Sequence, residues 1–201
     1  MTSHVRDDLR AHYDDEEMRQ RAARPVGEDR VRVLHAFLDQ LHTRGAKSVI
    51  EVGCGAGRDA TSIHDAGMSY LGTDLSPAAV RTCNERGLHV VLADATSLPV
   101  ESNSFDAAWS MSTLMHLPGD GFASALDELA RVVHPGGLIE IGVWGCTRDR
   151  VWTAPDGRYF RHRTDEAVAA ALARIGTVLD FETWAWMDDG GHYQWVRALA
   201  H

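Results

Sequence analysis

Val49-Ile50-Glu51-Val52-Gly53-Cys54-Gly55-Ala56-Gly57-Arg58-Asp59 decides how this chain is read: an apolar run breaks into three alternate glycines before residues that can start a helix. Side chains at Gly53, Gly55 and Gly57 would block close approach of a ligand to the backbone, or forbid the positive φ values of such a turn. The stretch therefore predicts a strand, a tight turn holding a nucleotide-like molecule, and a helix. An ordinary tight turn is the competing reading. A second apolar stretch, Met68 to Thr73, ends in Asp74, where a strand-end carboxylate can accept ribose hydroxyls. Asp74 as a helix N-cap is the alternative, but Ser76-Pro77 suits that role better, with Ser at N-cap and Pro at the first helical position.

Working outward, strands are expected at about 48 to 52, 68 to 73, 88 to 92, 105 to 110 and 138 to 144. Helices are expected at about 57 to 66, 77 to 86 and 121 to 133. Alternating elements with apolar strands argue for an α/β protein whose parallel sheet is covered on both faces. Before them lie a charged, helix-compatible segment from 6 to 24, a break at Pro25-Val26-Gly27, and a helix from about Asp29 to Leu41. Its Val31, Leu34, Phe37, Leu38 and Leu41 recur at helical spacing. After strand five a loop rich in Arg and aromatics leads to Thr164-Asp165-Glu166, which caps a helix to about Ile175. Strands at about 178 to 186 and 192 to 199 follow, and Asp188-Asp189-Gly190-Gly191 can close them as an antiparallel hairpin.

These residues resemble the class I S-adenosylmethionine (SAM)-dependent methyltransferases, especially the small single-domain group related to the ubiquinone-biosynthesis C-methyltransferases. The resemblance covers roughly residues 46 to 143. Glu51-Val52-Gly53-Cys54-Gly55-Ala56-Gly57 looks like the first motif, Gly72-Thr73-Asp74-Leu75-Ser76 like the acidic second-strand end, and Leu92-Ala93-Asp94-Ala95 like the adenine-contacting turn. Ser104-Phe105-Asp106-Ala107-Ala108-Trp109 resembles the fourth strand, and His134-Pro135-Gly136-Gly137 the turn into the fifth. The resemblance implies a Rossmann-like three-layer α/β/α sandwich on a mostly parallel seven-stranded sheet with an antiparallel last strand. Its cofactor would be SAM.

By the same resemblance, Glu51 contacts the methionine amino group, Asp74 with Leu75 the ribose, Asp94 the adenine amine and the Ala95 N–H the ring, and Ser110 borders the site. Tyr13-Asp14 and Arg19 form a lid. The alternatives are a structural carboxylate for Glu51, an Asx-turn for Asp94 and a solvated helix face for the lid. NAD is the rival cofactor, but it would call for a second mononucleotide-binding half and fits poorly beside the acidic Glu51.

Acceptor residues in this fold sit at the carboxyl ends of strands four and five. Strand four runs into Ser110-Met111-Ser112-Thr113-Leu114-Met115-His116-Leu117. Met115 offers soft apolar contact, and His116 is the candidate general base, because an imidazole titrates near neutral pH. A packing histidine is the alternative. Trp144, Trp152, Tyr159 and Phe160 suggest a pocket for a planar acceptor, or the packing of an irregular loop. Arg158, Arg161, His162 and Arg163 form a basic cluster that could clamp an anion, or simply be solvated. Trp184, Trp186 and Trp195 read as core.

With 201 residues and 44% hydrophobic content the chain suits one domain: a lid over 1–45, a SAM-binding core over 46–145, and an acceptor loop, helix and hairpin over 146–201. The start lacks the apolar core of a signal peptide and no run of ~20 apolar residues occurs, which leads to the expectation of a cytosolic protein. Three scattered cysteines read as reduced thiols, and the eleven histidines form no metal motif, so no metal is expected. A net charge of −9 and a single lysine, Lys47, disfavour nucleic acid and favour a small-molecule acceptor. A tRNA wobble-base methyltransferase with a partner subunit and a non-catalytic SAM-binding protein are the alternatives; the acceptor atom and the oligomeric state are left open.

Overall fold

The computed structural model describes residues 3–185 and 191–201. Three helices open the chain: α1 (Ser3–His12), α2 (Asp15–Ala23) and α3 (Glu28–Arg44). The strands β1 (Ser48–Val52), β2 (Ser69–Asp74), β3 (Val90–Leu92), β4 (Phe105–Met111) and β5 (Val133–Trp144) then alternate with α4 (Arg58–Asp65), α5 (Pro77–Glu85) and α6 (Gly121–Val132). A short hairpin of β6 (Arg150–Thr153) and β7 (Tyr159–His162), helix α7 (Asp165–Ala173), and strands β8 (Gly176–Ala185) and β9 (His192–Ala200) complete it.

The seven-stranded sheet has the order β3-β2-β1-β4-β5-β9-β8, with parallel pairs through β5. Strand β9, the last in the chain, runs antiparallel to both β5 and β8. This is the Rossmann-like α/β/α sandwich, with its reversed strand where the resemblance implied one.

Strand alternation divides the core. Val49, Ala107, Trp109 and Leu138 face the layer holding Val33, Phe37 and Leu41 of α3, Ile63 of α4 and Cys83 of α5. Ile50, Val52, Ala108, Ile139 and Ile141 face Phe122, Leu126 and Leu129 of α6 and Val168 and Leu172 of α7. Period-2 strands bearing apolar residues on both faces require a layer of helices on each side. Local chemistry fixes the helix ends: Ser76 Oγ accepts from the Ala79 N–H and Thr164 Oγ1 from the Ala167 N–H.

Three expectations change. The charged segment 6 to 24 is two helices, broken where Asp14 caps α2 by accepting from the Glu17 N–H. Strand β5 begins at Val133, and pairing with β4 shifts register before Leu138, so His134-Pro135-Gly136-Gly137 is a bulge within the strand. The loop after β5 contains the β6–β7 hairpin. Trp186 and the turn at Asp188, Asp189 and Gly190 lie outside the described residues, while the antiparallel register of the flanking strands is explicit from Trp184↔Tyr193 and Ala185↔His192.

Candidate functional site

The turn after β1 is the floor of a cavity of about 170 Å³ at the carboxyl ends of β1, β2 and β4. Gly53 takes φ +77°, and a Cβ there would collide with the Thr113 side chain. Gly55, at φ +53°, has open space where a Cβ would stand. One glycine is needed for internal close approach and the other leaves its backbone accessible from the cavity. Gly57 is outside the lining, because its bare side packs on Cys83 and Leu88.

Asp74 closes the adjacent wall. Its Oδ2 accepts from the Gly55 N–H at 2.8 Å and its Oδ1 from the Ser76 N–H at 2.8 Å. Burial pushes its carboxyl up, while those backbone donors pull it back. Leu75, Asp94 and Ala95 continue the lining. Asp94 Oδ1 accepts from the Thr96 N–H and hydroxyl, so the Asx-turn is present, and Oδ2 is taken by the Arg6 guanidinium at 2.6 Å.

That contact is one of three by which α1 and the α1–α2 junction cover the cavity. From α1, Arg6 holds Asp94 and Arg10 donates to the Leu75 carbonyl; from the α1–α2 junction, the Tyr13 carbonyl accepts from the Ser76 hydroxyl at 2.6 Å. Leu9, Tyr13, Met18 and Arg21 line the cavity, with the Arg21 guanidinium 4.9 Å from the Tyr13 ring centre. Arg19 does not belong to this wall: it lies on the exposed face of α2, paired with Glu16.

His116 is buried between Tyr13, at the α1–α2 junction, and the β6–β7 hairpin. Its Nδ1 lies 2.8 Å from the Tyr159 carbonyl, which can only accept, so Nδ1 carries the proton. Nε2, 3.3 Å from the Tyr13 hydroxyl, is then the acceptor. Burial pushes the imidazole down to about 4, more than the Tyr159 carbonyl can restore. Asp156 holds Arg158, its Oδ2 accepting from Nη2 at 2.8 Å. Phe160 stacks between Trp144, at 5.5 Å, and Trp152, at 4.7 Å, while the His116 ring lies 4.5 Å away. Trp144, Phe160, Met115 and Arg158 reach the cavity. Trp152, the Tyr159 side chain and Arg161 do not: Trp152 caps the outer side of the stack, Tyr159 contributes its carbonyl, and Arg161 reaches the Gly119 carbonyl.

Ser110 is likewise displaced, since it is fully buried and its hydroxyl donates to the Val52 carbonyl. Glu51 is not at the cavity surface either. Strand alternation sends it with Val49 toward α3 and α4, where it accepts from the Tyr70 hydroxyl at 2.6 Å. Burial and then the charge of Asp59 raise its carboxyl well above the ordinary range. Two charged groups reach the cavity from this layer, Arg58 of α4 and Arg30 of α3; Arg30 is held by Asp59 through Nε and Nη2, with Trp109 Nε1 donating to the same carboxylate at 2.7 Å. Arg30 escaped the sequence reading because nothing in local spacing joins it to Asp59. For Arg6 and Arg10, the signal was their i,i+4 placement on one face of α1.

The glycine turn, the strand-end carboxylate and the sheet order together make a Rossmann-like α/β/α fold with its cavity at the carboxyl ends of the strands. Residues 50–141 match the family model described as a methyltransferase domain. The chain is 32% identical over 130 residues to a tRNA (carboxymethyluridine(34)-5-O)-methyltransferase of Arabidopsis thaliana, covering 62% of this chain and 31% of that one. It is 35% identical over 117 residues to a phthiotriol/phenolphthiotriol dimycocerosates methyltransferase of Mycobacterium leprae, covering 54% and 42%. It thus spans less than half the length of either relative. Among solved structures, the Burkholderia thailandensis 1,6-didemethyltoxoflavin-N1-methyltransferase with bound 1,6-didemethyltoxoflavin and S-adenosylhomocysteine superposes with a TM-score of 0.72 at 23% identity, covering 98% of this chain and 87% of that one. No described helix is long and apolar enough to cross a membrane.

Proposed function

We propose that the protein is a SAM-dependent methyltransferase of the small single-domain type, acting on a small planar acceptor that carries negative charge. The motif spacing supports a likeness to the ubiquinone-biosynthesis group. The observation that carries the reading is the cavity itself. An acidic chain has gathered Arg10, Arg21, Arg30 and Arg158 around a glycine turn, a strand-end carboxylate and an aromatic wall. The open side of Gly55 and the backbone-held Asp74 fit an adenosyl group. Asp74 would hold the ribose and Arg30 the methionine carboxylate, with Asp94 and Ala95 at the adenine end. Bound there, SAM supplies a methyl group already activated by its sulfonium.

The protein's own work is then positioning and proton handling. Trp144 and Phe160 would hold a planar acceptor, and Arg158 its anionic group. A proton leaving the acceptor has a path onto the Tyr13 oxygen, with the Tyr13 proton passing to Nε2 of His116. An imidazole lowered to about 4 cannot retain that proton at neutral pH, so Nε2 hands it to water once the product leaves and the site opens, and the pair acts as a relay. It suits an acceptor hydroxyl or acid that itself ionises readily.

Titration with SAM and S-adenosylhomocysteine, with NAD as control, followed by a screen of aromatic acids and phenols, tests the assignment. Micromolar binding of both adenosyl ligands and methylation of anionic planar acceptors is the expected result; absence of adenosyl binding would overturn it. Asp74→Ala should weaken S-adenosylhomocysteine binding by about 1–3 kcal/mol, roughly 5- to 150-fold, because a charged hydrogen-bond acceptor is lost. Unchanged affinity would remove Asp74 from the ribose site. His116→Ala should lower kcat about 10²-fold with little change in S-adenosylhomocysteine affinity, and Tyr13→Phe should be non-additive with it. Full turnover by His116→Ala would leave it as packing.

The identity to a tRNA methyltransferase favours tRNA as a second reading. Salt-dependent tRNA binding and methylation, in the absence of activity on small acids, would establish it over the first.

A further inference from the structure

Two of the three cysteines meet beneath the glycine turn. Cys54 lies within it and lines the cavity; Cys83 is fully buried on α5. Their sulfurs approach the same oxygen, the Gly55 carbonyl, at 3.9 and 3.4 Å. Cys146, in the segment after β5, has no such partner thiol among the described residues.

We propose that Cys54 and Cys83 form a modifiable dithiol that closes to a disulfide when a small peroxide enters the cavity, and that closure and adenosyl-ligand binding oppose each other.

The chemistry balances with hydrogen peroxide as oxidant. A thiolate attacks the peroxide O–O bond, giving a sulfenic acid and, after protonation of the hydroxide, water. The second sulfur then attacks the sulfenic sulfur and expels another water. Two thiols and one peroxide yield one disulfide and two waters, the sulfurs losing two electrons to the peroxide oxygens. The neighbouring Cys54 and then the charge of Arg86 lower the Cys83 thiol despite its burial, while Cys83 and burial raise that of Cys54.

A disulfide requires the sulfurs to draw in to about 2.05 Å. Cys54 would carry its neighbours with it, including the Gly55 N–H that holds Asp74 Oδ2. The same backbone is the floor on which the adenosyl group is placed above, and the coupling half of the proposal rests on that reading. Linkage makes the effect mutual: a ligand that needs the open turn disfavours closure.

The test is peroxide treatment of the purified full chain, tryptic mapping without reductant, and titration with S-adenosylhomocysteine before and after. The expected results are a Cys54–Cys83 cross-linked peptide reversed by dithiothreitol, an affinity loss of about tenfold or more that reductant restores, and less cross-linking when the ligand is bound first. Cys83→Ala and Cys83→Ser should each abolish both the cross-link and the effect of peroxide on affinity. Free Cys54 and Cys83 after treatment, or oxidation confined to Cys146, would overturn the proposal. A cross-link that leaves affinity unchanged would overturn the coupling. If the reduced protein binds no S-adenosylhomocysteine while the cross-link still forms, the cofactor reading fails and the dithiol stands.

Discussion

Asp59→Ala should destabilise the fold by about 3–5 kcal/mol, the range for removing one partner of a buried ion pair. The Asp59 side chain is fully buried, and its carboxylate accepts from Nε and Nη2 of Arg30 and from Nε1 of Trp109. Removing it leaves a guanidinium with a tenth of its surface exposed and without its hydrogen-bonded counter-charge, and an indole N–H without its acceptor. Repulsion is not the main loss; desolvation without compensation is. Asp59→Asn keeps an acceptor for Trp109 and should fall between the two. Pairing Asp59→Leu with Arg30→Met should recover a large part of the stability, since buried pairs are often replaceable by apolar groups of similar volume. Urea melts report all three, and an Asp59→Ala midpoint equal to the parent's would refute this account of the inner layer.

The second large effect is acid sensitivity. Burial holds His116 at about 4, below the 6.5 of a free imidazole. Between those values the unfolded chain takes up a proton that the folded chain refuses, so stability falls as pH falls. The slope from this one group is about 1.4 kcal/mol per pH unit at most, and the whole window amounts to about 3 kcal/mol. Above about 6.5 both states are neutral and the contribution vanishes. His162, pushed down to about 4 by burial and then by Arg150, adds in the same direction. Urea melts of the parent and His116→Gln at pH 7, 6 and 5 separate the histidine from the carboxylates: the parent should lose stability more steeply. Parallel pH profiles would show that His116 accepts a proton in place.

What could be read from sequence followed from local regularity. The turn at Gly53–Gly57, the Ser76-Pro77 helix start and the reversed last strand depend on neighbours in the chain or on one-residue alternation, and each stands where the spacing put it. The β6–β7 hairpin was legible too, because Pro155-Asp156-Gly157-Arg158 is turn chemistry between Arg150-Val151-Trp152-Thr153 and Tyr159-Phe160-Arg161-His162, but the density of aromatics masked it. Glu51 shows the limit of motif reading, since its strand register sends it to Tyr70 behind the turn. Arg30 with Asp59, and Arg6 with Asp94, are separated by 29 and 88 residues. Only the folded sheet brings such pairs together.

The sheet's two margins carry a consequence for the protein in concentrated solution. One margin is β3, three residues long; the other is β8, whose register slips between Val178 and Asp180 and which carries Asp180 and Glu182. A flat, apolar border would recruit the border of another molecule, whereas brevity on one side and a kinked, acid-bearing strand on the other give an incoming chain little to zip against. Leu179 is nonetheless about half exposed on that second border. Removing the charge at Asp180 or Glu182 would leave it beside an unguarded ladder of amides, turning a margin that repels neighbours into one that collects them.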